Sequence, residues 1–415
     1  MNTYLILIIF AYLVVVIFGY WLDYINLSNL KKYGSVIPPE FEGKIDQELL
    51  IKTRNYTVEK TKFGFISSIF DNIILLLFLF GGILNIFNSW VVSIQMNFIL
   101  SGLVFFLLLT YAQTIISTPF SLYSTFKIEK KYGFNTMTMK LWVIDFLKSL
   151  ALSTVLMGIL LSIGLLIIQK SPDLWWLWVW CFFFAFTIFM MYISPYVLEP
   201  LFNKFTPIED EAFVDDIKCL MQKAGIKVTR VFKMDASKRS KHTNAYFSGI
   251  GKVKRIVLFD TLIEKLDNDE ILSVLAHEAG HWKKKHLLKM LAVTEVLALA
   301  VTFIAFKAMQ DDFLVKLFNI ADSTFFAKII IFSFILAIVS FPFSPLFNWF
   351  SRRHEKEADR FSYKLTGNPE GMISSLVKLS KDNLSNLHPH PLYALFHYSH
   401  PPVLERIKQI RAMVK

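Results

Sequence analysis

The sequence predicts a polytopic α-helical membrane protein, with about seven transmembrane helices and one small α+β unit built onto them. Three observations predict it. Of 415 residues, 54% are hydrophobic, 16% are aromatic and 41 are phenylalanine, beyond the roughly half-apolar composition of soluble chains. Seven runs reach the length of about 20 apolar residues that a bilayer requires; they lie near 3–22, 66–87, 98–118, 145–168, 174–194, 287–308 and 327–347. One long stretch, 205–286, interrupts this pattern with charged residues and short alternating segments. The chain therefore divides into an N-terminal membrane domain of five spans (1–204), an insertion (205–286), two further spans (287–349) and a C-terminal segment (350–415).

The first run is expected to be a retained span and not a cleaved leader. It lacks a basic flank before it and ends at Trp21-Leu22-Asp23, where no small-residue cleavage site occurs. Lysine and arginine then give orientation. Lys31, Lys32, Lys44, Lys52, Arg54, Lys60 and Lys62 separate the first two spans, and Lys127, Lys130, Lys131 and Lys140 separate the third and fourth. The stretch 89–97 has no basic residue, and Lys170 stands alone between the fourth and fifth. The connection after the sixth span is mixed, with Lys307 and Lys316 against Asp311, Asp312 and Asp322. This alternation predicts an integral, multi-pass protein with its N-terminus outside and its C-terminus in the cytoplasm. Such flanks explain the net charge of +11 without a nucleic-acid partner, with attraction to anionic membrane lipid as a further consequence.

Within the insertion, an amphipathic helix is expected around Asp210–Ala224, then strand-like runs at Val228–Met234, Asn244–Ile250 and Arg255–Phe259. The last two read as a hairpin through Gly249-Ile250-Gly251. A helix-like run from Asn268 to Met290 follows. Cys181 and Cys219 are the only cysteines, so neither a disulfide framework nor a thiolate metal cage is available.

The chemistry begins in that last helix. His277-Glu278-Ala279-Gly280-His281 reads HExxH. Residues four apart share a helix face, so both imidazoles reach one ion. Glu278 stands beside them as a carboxylate base for water, the arrangement of zinc peptidases. A catalytic zinc takes three protein ligands and keeps one position open. The third is expected from Asn348-Trp349-Phe350-Ser351-Arg352-Arg353-His354-Glu355-Lys356-Glu357-Ala358-Asp359. Glu355 and Asp359 are again four apart, so one carboxylate can bind metal while the other orients a ligating histidine. Glu355 is assigned as the ligand. Glu357 lies about 200° around the helix from it and is expected to face solvent or the far side of the bundle. A third ligand of this type makes the α+β unit gluzincin-like. His286, His354, His388, His390 and His397 have the right side chain for a ligand, but surface or interface roles are expected of them.

The chain resembles the CAAX prenyl endopeptidases of the zinc metallopeptidase type, the family that processes yeast a-factor and human prelamin A. The resemblance rests on Lys130-Lys131-Tyr132-Gly133-Phe134-Asn135, on Pro200-Leu201-Phe202-Asn203-Lys204-Phe205-Thr206-Pro207 and on His242-Thr243-Asn244-Ala245-Tyr246-Phe247-Ser248-Gly249. HEAGH and NxxSRxxExxAD follow, then Lys381-Asp382-Asn383-Leu384, His397-Tyr398-Ser399-His400-Pro401-Pro402 and Leu404-Glu405-Arg406. It implies a membrane chamber capped by the protease unit, with Asn244, Ala245 and Tyr246 as the strand edge that pairs with an extended substrate. It also implies that His400 donates to the oxyanion and that Arg406 binds a substrate carboxylate or fixes a neighbouring acid.

One zinc per chain is thus expected on His277, His281 and Glu355, with Glu278 as general base and Asp359 orienting His277. The partner is a peptide or protein substrate, cut on the cytoplasmic side. Two readings of that substrate stay open: C-terminal CAAX-type prenylated peptides, or membrane proteins cleaved in quality control with no prenyl requirement. A non-enzymatic transporter with a vestigial site is disfavoured, because loss of any one of His277, Glu278, His281 or Glu355 would mark decay and all four are present.

Overall fold

The computed structural model describes residues 2–248 and 253–414. Seven helices in it are long and apolar enough to cross a membrane: Thr3–Tyr33, Gln47–Phe80, Phe98–Tyr132, Met139–Lys170, Trp175–Phe202, His286–Met309 and Phe325–Thr366. Side-chain caps start five of them, the first at Asn2, which accepts from the Tyr4 N–H. Asp46, Asn97, Thr138 and Thr324 accept from backbone N–H groups three residues on, satisfying donors that helix geometry leaves free. The seven regions are those expected, with one correction. The second span stops at Phe80, because Gly81 and a left-handed Gly82 (φ 83°) end it. A short separate helix, Ile83–Ser93, follows.

The connections sort onto two faces. On one, Asn88 Nδ2 donates to the Asp322 carbonyl at 2.8 Å and Ala321 N–H to Asn85 Oδ1 at 2.7 Å, tying the second-to-third connection to the sixth-to-seventh. On the other, Phe41, Ile45 and Leu50 pack with Ile373, Ile407 and Ile410, so the first-to-second connection shares a core with the C-terminal segment. Asn135 bridges Ser240 there, and Arg239 forms a double hydrogen bond with Asp145 at 2.8 and 3.0 Å. Both lysine-rich connections therefore lie on the face that carries the α+β unit.

That unit holds a four-stranded sheet in the order β1-β2-β4-β3, from β1 (Phe205–Pro207), β2 (Lys227–Met234), β3 (Ala245–Ser248) and β4 (Val253–Phe259). β1 is an addition to the expected elements. It is three residues long and carries no alternation to read. β2 and β4 are parallel, whereas β3 pairs antiparallel with β4 and forms the sheet edge. The expected turn at Gly249-Ile250-Gly251 lies outside the described residues. Asp210 caps the amphipathic helix Glu211–Lys223, whose Phe213, Ile217 and Met221 bury against Ile256, Leu258, Leu275 and Ala276.

The expected Asn268–Met290 run is two helices. The first, Asn268–Lys283, opens on a capping box made by Asp267 and Glu270. It ends at Lys284, and Lys285 adopts a left-handed conformation (φ 55°, ψ 36°) before the sixth span begins at His286. No glycine or proline announces the break, so periodicity ran through it. The seventh span continues as the helix Ser344–Thr366, which packs along Asn268–Lys283. Ser362 Oγ donates to the buried Ser273 carbonyl at 2.8 Å between them.

Candidate metal centre and active site

The contact of those two helices brings three donors together. His277 and His281 project from one face of Asn268–Lys283, and Glu355 from Ser344–Thr366. His277 Nε2 is 3.1 Å from His281 Nε2. Glu355 Oε2 is 3.3 Å from His277 Nε2, and Oε1 is 3.1 Å from His281 Nε2. These three residues form a metal-capable group with all ligand atoms within 4.8 Å. His277 and Glu355 are buried and His281 partly so.

The donor set fits a cation. Asp359 Oδ1 lies 2.7 Å from His277 Nδ1, and Arg406 donates to both Asp359 oxygens, from Nε at 2.9 Å and Nη2 at 2.6 Å. Asp359 is thereby an acceptor, so Nδ1 of His277 carries a proton and Nε2 offers its lone pair inward. Glu355 Oε2 is buried without a hydrogen-bond donor. Lone pairs that face one another at 3.1–3.3 Å repel unless a cation sits among them. The spacing also suits one, since ligands at about 2.0–2.1 Å in a tetrahedron are about 3.3 Å apart. Burial opposes charge on His277, but its hydrogen bond to Asp359 and the adjacent Glu355 carboxylate outweigh it and raise its pKa to about 9. Proton and metal therefore compete for Nε2.

A cleft of 340 Å³ opens on these atoms, and Glu278, half-buried, lines it beside the two histidines. Asn244 and Ala245 form part of the wall. The Phe259 N–H donates to the Asn244 carbonyl at 3.1 Å, so by antiparallel alternation the Ala245 backbone faces away from β4. Tyr246 is turned elsewhere. Its hydroxyl donates to Glu199 Oε2 at 2.7 Å, and its side chain is not among those lining the cleft. His400 is exposed, with Nε2 3.4 Å from Glu355 Oε1. Arg406 lines the cleft but commits its fork to Asp359, which favours the fixing of a neighbouring acid over capture of a substrate carboxylate.

Several residues near the site were not anticipated. Glu357 is not turned to solvent alone. It meets His286, which is only 3% exposed and stacks on His354 at 4.1 Å. A second group lies beside the start of β3. His242 stacks on Phe134 at 4.2 Å, with Nδ1 2.8 Å from Asn383 Oδ1 and Nε2 3.6 Å from Glu129. Glu129 also accepts from Tyr56 at 2.8 Å and closes a π-helical turn, Ser124–Glu129, at the end of the third span. Only a tertiary fold joins residues so far apart. His388 and His390 share no ligand face: His388 Nε2 meets the Val36 carbonyl at 2.8 Å and His390 caps the helix Pro391–His397.

A membrane-embedded metallopeptidase is the class that this fold and site define. Residues 26–204 match the family model described as CAAX prenyl protease N-terminal, five membrane helices, and residues 207–414 match Peptidase family M48. The chain is 34% identical to CAAX prenyl protease 1 of Saccharomyces cerevisiae, over 93% of this chain and 89% of that one. It is 36% identical to the CAAX prenyl protease 1 homolog of Arabidopsis thaliana, over 96% and 95%, and 32% identical to that of Homo sapiens, over 93% and 90%. The crystal structure of S. mikatae Ste24p superposes with a TM-score of 0.90 at 32% identity, covering 99% of each chain. The chain belongs to the CAAX prenyl protease 1 family of M48 metallopeptidases.

Proposed function

We propose that the chain is a zinc endopeptidase that cleaves C-terminal CAAX-type prenylated peptides at the cytoplasmic face of a membrane, with one zinc on His277, His281 and Glu355. One observation carries the reading: two imidazole Nε2 atoms and a carboxylate converge at 3.1–3.3 Å beside Glu278, in a cleft walled by a free strand edge. Two nitrogens and a carboxylate with an open side suit catalytic zinc. The prenyl group is drawn from the names of the relatives, and the apolar spans beneath the cleft supply a medium for such a chain.

When bound, zinc supplies Lewis acidity to the scissile carbonyl and acidifies water near neutrality. The residues do the rest. Substrate lies extended along Ala245, adding a strand to the sheet. Glu278 accepts the water proton and passes it to the departing amine. His400 donates to the oxyanion that develops on the attacked carbonyl. Asp359, itself held by Arg406, fixes His277 by its Nδ1–H. The sidedness is supported by both lysine-rich connections sharing the face of the α+β unit.

The test is turnover of a farnesylated CAAX peptide beside its unmodified form, before and after chelation. The proposal expects the farnesylated peptide to be cut faster, with activity lost on chelation and restored by zinc. Equal turnover of both peptides would favour a quality-control peptidase instead.

A further inference from the structure

We infer that His286 and Glu357 are positioning residues for the second metal-binding histidine, forming a carboxylate–histidine–histidine relay that fixes the ring of His281. The inference rests on the metal site proposed above and extends it to the half that Asp359 does not reach.

The two motif histidines are supported differently. His277 donates directly to Asp359, as described. His281 has no carboxylate at its outer nitrogen. Its Nδ1 instead lies 3.1 Å from Nδ1 of His286, and Nε2 of His286 lies 3.2 Å from Glu357 Oε2. Donor logic fixes every proton in this chain. A metal at His281 Nε2 requires that nitrogen bare, so the ring proton sits on Nδ1. That N–H must donate to His286 Nδ1, which is bare in turn. His286 then carries its proton on Nε2 and donates to Glu357, which only accepts. One arrangement satisfies all three groups, and it points the lone pair of His281 at the metal.

The backbone is built to produce this contact. His281 and His286 are five positions apart, a spacing that points in different directions on one continuous helix. The left-handed Lys285 (φ 55°) breaks the helix between them and turns His286 back onto His281. A non-glycine residue in that region is uncommon and is found where the surrounding structure demands it. His286 is 3% exposed and held flat against His354, at 4.1 Å and 9° between ring planes. Glu357 comes from the helix that carries Glu355, so one helix supplies a ligand on one face and the end of the relay on another.

The experiment is zinc affinity by chelator competition, together with the visible spectrum of the cobalt-substituted protein, for wild type, His286→Leu, His286→Asn, Glu357→Ala and their combination. Loss of such outer partners weakens metal binding by about 10–100-fold, and that is the result expected for His286→Leu. The melting temperature of its metal-stripped form should match that of stripped wild type, and the cobalt bands should shift because the ring is freed. A purely structural role for His286 moves the stripped melting temperature and leaves the cobalt bands in place. His286→Asn keeps an acceptor for His281 and should recover part of the affinity. Glu357→Ala should weaken zinc alone, yet add nothing to His286→Leu, because both act through one chain. Wild-type affinity in His286→Leu, or additive losses in the combination, would overturn the relay. If His286→Leu does not fold, Glu357→Ala at its half-exposed site carries the test, and unchanged zinc affinity with unshifted cobalt bands there overturns it. A wild type that holds no zinc, or a Glu355→Ala variant that holds it fully, fails the metal site itself; a normal wild type with an unaffected His286→Leu fails the relay alone.

Discussion

Gly280 lies against Ala358 at the crossing of the two helices that bring the metal-binding side chains together. A β-carbon on Gly280 would come within 3.0 Å of Ala358 Cα, 3.1 Å of its carbonyl oxygen and 3.1 Å of Phe361 Cβ. The two unspecified positions of HExxH are therefore not free here. Ala279 is fully buried, and Gly280 sets how near Glu355 comes to the histidines.

Substitution at Gly280 should show this spacing as metal affinity. Overpacking a tight contact costs about 1–3 kcal/mol. Gly280→Ala is expected to weaken zinc by about tenfold, and Gly280→Val by more, since two further carbons enter against backbone that cannot move aside. Chelator competition reads the difference. Unchanged affinity in Gly280→Val would show that the helix spacing does not govern the site.

Three acids on one helix should separate by zinc titration. Glu355→Ala should lose nearly all affinity, and Asp359→Asn should lose about 10–100-fold. Glu357→Ala should lose less than Glu355→Ala, because it reaches the metal only through His286 and His281. Retention of zinc by Glu355→Ala with its loss in Glu357→Ala would invert the ligand assignment.

The seven spans, the HExxH face and the acids four residues apart were legible because each is a local periodicity: a long apolar run or an i, i+4 pair. What escaped depends on contacts between elements. The break at Lys284–Lys285 carries no glycine or proline, so nothing in the sequence separates it from helix, and without the break His286 could not be placed beside His281. Helix angle alone places Glu357 on a far face, but that face meets the start of the sixth span at His286. The bracing of His242 by Glu129 and Asn383 joins three distant segments and has no periodic signature. Tyr246 reads with its neighbours as one edge, yet alternation along a strand sends its side chain to Glu199.

Zinc affinity should rise with pH. A raised His277 pKa of about 9 means that metal-stripped protein keeps a proton on that ring throughout the neutral range. Below the ordinary histidine value the pairing of charged His277 with Asp359 and Glu355 stabilises the stripped fold in full, and this contribution is lost as pH climbs through about 9. Metal binding has the opposite sign, because the proton must leave. Affinity should increase by about one log unit per pH unit up to about 9 and then level off, with proton release on binding. A flat profile between pH 7 and 9 contradicts the competition.

Labelling should divide the connections into two sets. In a background lacking Cys181, an impermeant thiol reagent added outside should modify cysteines placed at the exposed positions Ser93 and Phe313. It should not reach the native, exposed Cys219 or a cysteine at Arg411 until the membrane is permeabilised. Outside labelling at Arg411 would reverse the proposed orientation.

The central claim is that the metal-binding residues and Glu278 have separable duties in peptide hydrolysis. Zinc content and peptide turnover measured on the same preparation of Glu278→Gln test it most directly. Gln is close in size to Glu but cannot accept the water proton, and general-base loss costs about 10²–10⁴-fold in rate. The prediction is one zinc per chain, as in wild type, with turnover reduced by that factor. Turnover near the wild-type rate in a zinc-loaded Glu278→Gln protein would contradict the account.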